Sequence, residues 1–318
     1  MEDYPTTLMA FEKQFLTENA CLNYLYKLRW PKGYLCPHCG NNKGWRIRDD
    51  LIQCANCFYQ ASITSGTIFH RTRKPLTIWF RAIWWVTSQK HGANALGLQR
   101  ILGLGSYKTA WAWLHKLRRA MVRPNRDCLV GTIEIDETYI GGEKHGKRGR
   151  GALGKALVLI ATEIEETHIG RIRLQLIKNA SATSLETAIQ SMVEKGSEIQ
   201  TDGWAGYNQL NLLGYKHEVV RKASEIGQNL LPHCNRVASL LKRWLLGTHQ
   251  GAVAHEHLNY YLDEYTFRFN RRTSQYRGKL FYRLLQNAVA LEPITFKQIT
   301  KGIRGPKPEA IVNKLNLT

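Results

Sequence analysis

The stretch Thr132-Ile-Glu-Ile-Asp136-Glu-Thr-Tyr-Ile-Gly-Gly142 is a short β-branched run that reaches a carboxylate and then meets glycines. A second stretch, Glu198-Ile-Gln-Thr-Asp202-Gly-Trp-Ala-Gly-Tyr207, repeats this order. An apolar strand of this kind brings its carboxylate to the edge of a sheet, where a cation or a substrate can reach it. One aspartate alone is typical of a turn, but the pair on a basic chain predicts a metal site that acts on phosphate.

The charge of the chain favours a polyanionic partner. The 318 residues include 45 Lys and Arg against 25 Asp and Glu, which gives a formal net charge of +20. Nucleic acid is the obvious polyanion, and a hydrophobic content of 43% favours an enzyme-like core over a structural RNA binder. We expect no membrane span and no signal peptide, and therefore a cytoplasmic protein of two or three domains.

Two CxxC pairs near the amino terminus predict a metal site. Cys36 and Cys39 form the first pair, and Cys54 and Cys57 form the second pair after 14 intervening residues. Four thiolates suit a closed tetrahedral site with one structural Zn²⁺, and the alternation between the pairs predicts a zinc ribbon. A redox dithiol would not need a second matching pair. His38 lies inside the first pair and is either a substitute ligand or a surface residue.

The middle of the chain has helical periodicity from Pro75 to about Val122, and we expect its aromatic residues to form a core rather than a base-stacking platform. A short helix at 95–102, a turn at 103–105 and a second helix at 107–119 capped by Ser106 predict a helix-turn-helix. An ordinary helical hairpin is the alternative. The residues expected to face DNA open the second helix: Tyr107, Lys108 and Thr109.

Beyond Pro124 the pattern changes to strands. The expected elements in chain order are strands at 128–136, 156–162 and 169–177, a helix at 184–194, strands at 198–202 and 216–220, and a long helix at 229–246. Three antiparallel strands followed by alternating helices and strands predict a ribonuclease-H-like α/β domain, in which the first and fourth strands are neighbours. Asp136 and Asp202 would then meet.

Two such carboxylates suit displacement at a phosphodiester. That reaction can use two divalent cations about 4 Å apart, which carboxylates bridge and neutralise. Hard oxygen ligands favour Mg²⁺ or Mn²⁺ over Zn²⁺, so the expected active-site cofactor is two Mg²⁺ or Mn²⁺ ions.

Together these motifs resemble a known family over residues from about 10 to 290. The chain is similar to the zinc-ribbon transposases of insertion-sequence family fifteen-ninety-five, within the DDE superfamily. Beside the zinc ribbon, the matching motifs are Ser106-Tyr-Lys-Thr-Ala-Trp, Ile135-Asp-Glu-Thr-Tyr-Ile-Gly-Gly142, Gly146-Lys-Arg-Gly-Arg-Gly151, Thr201-Asp-Gly-Trp-Ala-Gly-Tyr207, Leu240-Leu-Lys-Arg-Trp-Leu-Leu-Gly-Thr-His249 and Tyr265-Thr-Phe-Arg-Phe-Asn-Arg-Arg272.

The resemblance implies a DNA transposase of a bacterial insertion sequence with a multidomain α+β fold. Such an enzyme binds terminal inverted repeats and catalyses Mg²⁺-dependent cleavage and strand transfer into target DNA. Its partners would be double-stranded DNA, at element ends and target, and further copies in a homodimer or larger synaptic complex associated with the nucleoid. A decayed or domesticated DNA-binding protein and a ribonuclease-H-like nuclease or resolvase are the alternatives.

The third catalytic ligand departs from the acidic triad of this superfamily. In relatives the third acid lies seven residues before a Lys or Arg, and counting back from Lys242 gives Asn235. The resemblance implies that Asn235 joins Asp136 and Asp202 as a catalytic metal ligand, because some branches carry Asn or His there. Asn235 would offer an amide oxygen without charge. His233 either contacts a cation or phosphate, or caps the helix or faces solvent.

The expected domains are the amino-terminal helix and zinc ribbon at 1–70, the helix-turn-helix region at 71–127, the catalytic domain at 128–275 and a basic carboxy-terminal tail at 276–318. Glu137 could lean toward the metals or remain a surface charge. Further basic residues are expected to contact the DNA backbone: Lys144, Lys147, Arg148, Arg150, Lys242, Arg271 and Arg272.

Overall fold

The computed structural model describes residues 2–123, 126–141, 155–220, 230–251 and 253–303. The chain divides into two compact units. The first unit comprises Met1–Asn125 together with Thr273–Thr318, and the second comprises Arg126–Arg272. In sequence, the second unit is therefore inserted between two parts of the first.

Helices dominate the first unit, and a mixed sheet dominates the second. Among the described residues the helices are α1 (Leu8–Gln14), α2 (Glu18–Arg29), α3 (Leu76–Ser88), α4 (Ala95–Leu102), α5 (Tyr107–Ala120), α6 (Ala182–Gln190), α7 (Pro232–His249), α8 (Leu258–Phe269), α9 (Arg277–Ala290) and α10 (Phe296–Thr300). The strands are β1 (Gly44–Arg48), β2 (Leu51–Cys54), β3 (Gln60–Ser62), β4 (Thr132–Ile140), β5 (Ala156–Glu165), β6 (His168–Ile177), β7 (Glu198–Thr201) and β8 (Lys216–Val219).

The three short strands near the amino terminus form an antiparallel sheet in the order β1-β2-β3. Ile52 of β2 pairs with Ala61 of β3, and both side chains are buried. The guanidinium of Arg29, at the end of α2, donates hydrogen bonds to the carbonyl oxygens of Ser62 and Ile63 at 2.8 and 2.7 Å. These bonds fasten the small sheet to the preceding helix.

Aromatic side chains form the core of the first unit, as the sequence predicted. Trp79 of α3 stacks on Trp113 of α5, with ring centroids 3.6 Å apart. Phe80 packs edge-to-face against Phe15 and Phe281, with centroids 4.9 and 5.7 Å apart. Because these rings fill the interior, they are not exposed for stacking on bases.

The segment expected to be a basic tail contributes a core helix instead. Phe281 belongs to α9, and Leu280, Leu284 and Leu285 are also buried there. Gly278 in the first turn of α9 lies so close to the carbonyl of Pro5 that a Cβ atom would overlap it. The structure therefore corrects the tail expectation for α9, while residues 304–318 lie outside the described residues.

The expected pair of helices around a glycine turn is present. Asn94 caps α4 by accepting a hydrogen bond from the Gly97 N–H at 2.7 Å, and Gly103 ends α4 in the left-handed region with a φ of 59°. Ser106 occupies the cap position of α5, but its side chain makes no capping hydrogen bond. The geometry is that of two packed helices, and their use on DNA stays a prediction.

The second unit contains a five-stranded sheet in the order β6-β5-β4-β7-β8. The pairings β6–β5 and β5–β4 are antiparallel, and β4–β7 and β7–β8 are parallel. The first and fourth strands of the unit are therefore neighbours, as predicted. After β7, Asp202 leads into a single 3₁₀ turn at Ala205–Tyr207.

Each face of this sheet carries its own apolar core. One face includes Ile133, Ile135 and Ile199 and packs against α6. The other face includes Val158 and Ile160 and packs against α7 and α8. Because side chains alternate along a strand, the even-numbered positions of β4 point toward α7.

A buried ion pair fastens the chain segment that enters β4. The carboxylate of Glu163 on β5 accepts hydrogen bonds from the Arg171 guanidinium at 2.7 and 2.9 Å and from the Val130 N–H at 3.1 Å. Burial alone would raise the pKa of Glu163, but these hydrogen bonds and the positive charge of Arg171 lower it below its ordinary value. The ionised form therefore stabilises the fold.

We expect Glu163→Gln to destabilise the second unit by roughly 1–3 kcal/mol at pH 7, because Arg171 loses its anionic partner. The contribution of Glu163 is fully present above the ordinary glutamate pKa and is lost as the pH falls through the lower pKa of the folded state. Urea denaturation followed by circular dichroism, at pH values from about 7 down to 3, measures both effects.

The matched control is Glu194→Gln, since Glu194 is an exposed acid of the same unit. Glu194→Gln should unfold at the same urea concentration as the wild-type protein. It should also lose as much stability in acid as the wild-type protein does. A Glu163→Gln protein with an unchanged midpoint at pH 7 would contradict the assigned role.

Candidate active site

The four predicted zinc ligands converge on one centre in the first unit. Ligand atoms of Cys36, Cys39, Cys54 and Cys57 all lie within 4.8 Å of one another. The Sγ atoms of Cys36 and Cys57 are 3.6 Å apart, as are those of Cys39 and Cys54. This donor set fits a closed tetrahedral Zn²⁺ site with no open position for chemistry. His38 is exposed, and its ring stacks on that of Tyr59. This position supports the prediction that His38 is a surface residue and not a substitute ligand.

Hydrogen bonds from the backbone favour the thiolate form of Cys36. Burial would raise the pKa of Cys36, but hydrogen bonds from the backbone N–H groups of Cys39 and His38 and from neighbouring thiols lower it to about 6. The thiolate form is the one that binds Zn²⁺.

The pairing of β4 with β7 favours an approach of the two predicted aspartates. Thr132 pairs with Glu198, Ile133 with Ile199 and Glu134 with Gln200 in parallel register. Continued by two residues, this register would set Asp136 opposite Asp202, at the usual strand spacing of about 4.8 Å. Asp202 is exposed directly after β7, whereas Asp136 is half-buried within β4, which continues to Ile140 and does not end at Asp136 as the sequence predicted.

Local hydrogen bonds orient each aspartate. Oδ1 of Asp136 accepts from the N–H of Glu137 at 2.8 Å, and Oδ1 of Asp202 accepts from the N–H of Trp204 at 3.0 Å. The Trp204 indole N–H in turn donates to the Ala180 carbonyl at 2.9 Å. The turn after β7 is therefore anchored at both ends, and both carboxylates are held in defined orientations.

Tyr207 links the two strands beside the aspartates. Its buried hydroxyl donates to Oε2 of Glu137 at 2.5 Å. Burial raises the pKa of Tyr207 well above its ordinary value, and the negative charges of Glu137, Asp136 and Asp202 raise it further. Three carboxylates therefore surround one neutral phenol, and Glu137 accepts from that phenol.

Glu134 is a functional residue that the prediction missed. Its buried carboxylate accepts from the backbone N–H groups of His233 and Cys234 at 2.9 and 2.8 Å, and from Nδ1 of His233 at 2.6 Å. The first turn of α7 contains no acidic residue and its cap position provides no side-chain hydrogen bond, so Glu134 supplies the missing cap. The alternation of side chains along β4 could have identified Glu134, because Glu134 and Asp136 lie on the same face of the strand.

The first turns of α7 therefore lie over β4, and this placement positions Asn235 and Lys242. Burial and the positive charge of Lys155 lower the pKa of Lys242, whereas Asp136 raises it, so Lys242 lies in electrostatic range of Asp136. Asn235 is exposed and lies seven residues earlier on the same helical stripe. Asp136 and Lys242 therefore lie within electrostatic range of each other, while metal ligation by Asp136, Asp202 and Asn235 stays a prediction.

Two family models match the chain. An ISXO2-like transposase domain matches residues 128–270, and a transposase zinc-ribbon domain matches residues 16–60. The chain is a zinc-ribbon IS1595 DDE transposase. The first model covers both aspartates and α7, and the second covers all four cysteines. No curated protein matches the chain.

The predicted DNA-facing residues of this transposase lie in three places. Tyr107 and Lys108 are exposed at the start of α5, and Thr109 is half-buried beside them. Arg271 and Arg272 follow α8 and stack on Phe267 and Phe269 at 4.3 and 4.4 Å. Lys242 is exposed on α7, and the other predicted residues lie outside the described part of the chain: Lys144, Lys147, Arg148 and Arg150. No helix in the described ranges is long and apolar enough to cross a membrane.

We expect Cys36→Ser to remove Zn²⁺ from the transposase and to unfold the ribbon, because three thiolates and a hydroxyl bind the metal far more weakly. Zinc content, measured by atomic emission on purified protein, should fall from one equivalent per chain to nearly none. Binding to element ends should fall with it.

The control is Cys128→Ser, which removes a thiol of the second unit that lies outside the cluster. It should retain one equivalent of zinc. A Cys36→Ser protein with full zinc content would exclude this cysteine as a ligand.

Proposed function

We propose that this transposase binds the terminal inverted repeats of its own insertion sequence and catalyses metal-dependent cleavage and strand transfer into target DNA. The observation that carries the proposal is the β4–β7 register, which supports a close pair of carboxylates at Asp136 and Asp202. The family supports the reaction class, and the net charge of +20 supports the polyanionic substrate.

The donors at this sheet edge fit Mg²⁺ or Mn²⁺. Carboxylate oxygens from Asp136 and Asp202 and an amide oxygen from Asn235 are hard ligands, which these ions prefer to thiols and imidazoles. Two bound ions would activate the attacking water or 3′ hydroxyl and neutralise the leaving oxygen. With Asn235 in the third position, the three ligands have a formal charge of −2.

The residues of the chain itself orient these ligands. Asp136 and Asp202 each use one oxygen on a backbone N–H, which fixes the direction of the other oxygen. Glu134 holds the first turn of α7 and therefore the backbone of Asn235. Lys242 is a cation near Asp136 that would bind the phosphate being cut.

DNA recognition is assigned to the first unit. The exposed start of α5 presents Tyr107, Lys108 and Thr109, and α5 follows α4 after a short glycine turn, which is the arrangement of a recognition helix. Two DNA ends must be handled together before joining, so we expect a dimer or larger synaptic complex.

We expect Asp136→Ala and Asp202→Ala each to reduce Mg²⁺-dependent cleavage and joining by roughly a thousandfold or more, because each removes a metal ligand and a negative charge. The assay uses a duplex with the inverted repeat that borders the coding region and a supercoiled target plasmid. DNA binding, measured separately by fluorescence anisotropy, should persist.

Glu218→Ala is the matched control, since Glu218 is an exposed acid on the neighbouring strand β8. Joining that survives in either aspartate variant would reject the two-aspartate centre. Cleavage without joining in the wild-type protein would identify a nuclease instead.

We expect Asn235→Ala to lower activity about 10- to 100-fold and to raise the Mg²⁺ concentration needed for half-maximal rate. Asn235→Asp should retain activity at a lower Mg²⁺ concentration, because it keeps the oxygen and adds a charge. Titration of the cleavage rate with Mg²⁺ distinguishes the two variants.

Gln190→Ala is the control, since Gln190 is an exposed amide at the end of α6, and it should leave the Mg²⁺ dependence unchanged. If Asn235→Ala behaves like this control, the third ligand is elsewhere, at His233 or a glutamate.

A further inference from the structure

An open groove of about 950 Å³ lies in the second unit beside the amino-terminal half of α7. Its walls come from α7, from the turn that begins β6 and from the end of α8. The side chains that matter for its chemistry are Asn235, Arg236, Ser239, Arg243, His168 and Arg272.

The lining of this groove is cationic. Three arginines and two histidines contribute, and no aspartate or glutamate is among the described residues that line it. Within the ranges that the structure describes, Arg236 and Arg243 are exposed and form no hydrogen bond or ion pair. No described residue therefore competes with a ligand for these two charges.

The third arginine is held in place by the fold. The Arg272 guanidinium donates to the carbonyl oxygens of Gly170, at 3.1 Å, and of Ile169, and it stacks on Phe269 at 4.4 Å. These hydrogen bonds fix the position of the Arg272 guanidinium in the groove wall. Because the acceptors are neutral carbonyl oxygens, the positive charge of Arg272 is not cancelled. Phe269, Ile169 and Leu240 add apolar surface to the same groove.

The spacing of the two exposed arginines suits a repeating anion. Arg236 and Arg243 are seven residues apart on α7, which places them on one face and about 10 Å apart along the helix axis. One DNA strand carries a phosphate about every 3.4 Å of duplex axis, so this distance spans roughly three phosphates. The Ser239 hydroxyl and the Asn235 amide, also in the groove, are neutral donors of the kind that bind phosphate oxygens.

We propose that this groove binds the phosphate backbone of one DNA strand as it leaves the catalytic residues. Asn235 provides the connection, because it lines the groove and is the third ligand expected beside Asp136 and Asp202. The inference rests on the proposed DNA-cutting function and adds a site to it. The contacts involve phosphate rather than base edges, so the groove binds any DNA sequence.

The experiment measures the salt dependence of DNA binding by the full-length, zinc-loaded protein without Mg²⁺, so that catalysis does not contribute. The probe is a fluorescein-labelled duplex of arbitrary sequence and about 30 base pairs, titrated at KCl concentrations from about 50 to 200 mM. In the variant Arg236→Ala/Arg243→Ala, the slope of log K against log[KCl] should become shallower by about 1.8, since each lost phosphate contact contributes about 0.9. Both arginines are exposed helix residues, and alanine preserves the helix.

Two matched variants test whether the location and the charge both matter. Lys178→Ala/Lys195→Ala removes two exposed cations from the same unit outside the groove and should keep the wild-type slope. Arg236→Lys/Arg243→Lys keeps the charge in the groove and should keep most of the slope.

A wild-type slope in Arg236→Ala/Arg243→Ala, or an equal loss in the two-lysine control, would overturn the groove assignment while the proposed catalytic function stands. An acidic protein partner would produce the first of these results. If the wild-type protein shows no salt-dependent DNA binding, the proposed function fails first and the groove assignment fails with it.

Discussion

Parallel pairing of β4 with β7 is the constraint on which the second unit depends. A shift of one residue in this register would turn every β7 side chain to the other face of the sheet. Ile133, Ile135 and Ile199 are fully buried on one face, so the observed register is the one that keeps these side chains out of water. Continued by two residues, the same register would set Asp136 beside Asp202. The geometry of the proposed active site is therefore a consequence of core packing on the opposite face of the sheet.

A second constraint places α7, the helix that includes Asn235, the proposed third ligand. Glu134 is buried, and burial of a carboxylate is costly unless hydrogen bonds compensate it. Two backbone N–H groups and one imidazole of α7 provide that compensation. Because the contact is made to the helix backbone, it fixes the position of Asn235 without involving the Asn235 side chain. The identity of the third ligand can then change without loss of the helix anchor.

Local patterns made much of this protein predictable. The CxxC pairs, the glycine turn before α5 and the strand that leads to Asp202 are all short-range signals, and the structure has the corresponding elements. The strand predicted to end at Asp136 instead continues to Ile140. The missed features are contacts between residues that are remote in sequence. Glu134 and His233 are 99 residues apart, and Glu137 and Tyr207 are 70 residues apart. The sequence prediction also missed α9, which it placed in a basic tail, because a local pattern does not identify the helices against which an apolar face packs.

The position of α9 also has a consequence for synthesis of the chain. The first unit is interrupted in sequence by the whole second unit, and Phe281 and its neighbours in α9 complete the aromatic core around Phe15 and Phe80. A ribosome must therefore translate all of residues 126–272 before the first unit can close its interior. Once residue 272 has been translated, the second unit has all of its own sequence, whereas the first unit still lacks α9 and therefore part of its aromatic core. The second unit is thus complete in sequence before the first, although the first unit begins earlier in the chain.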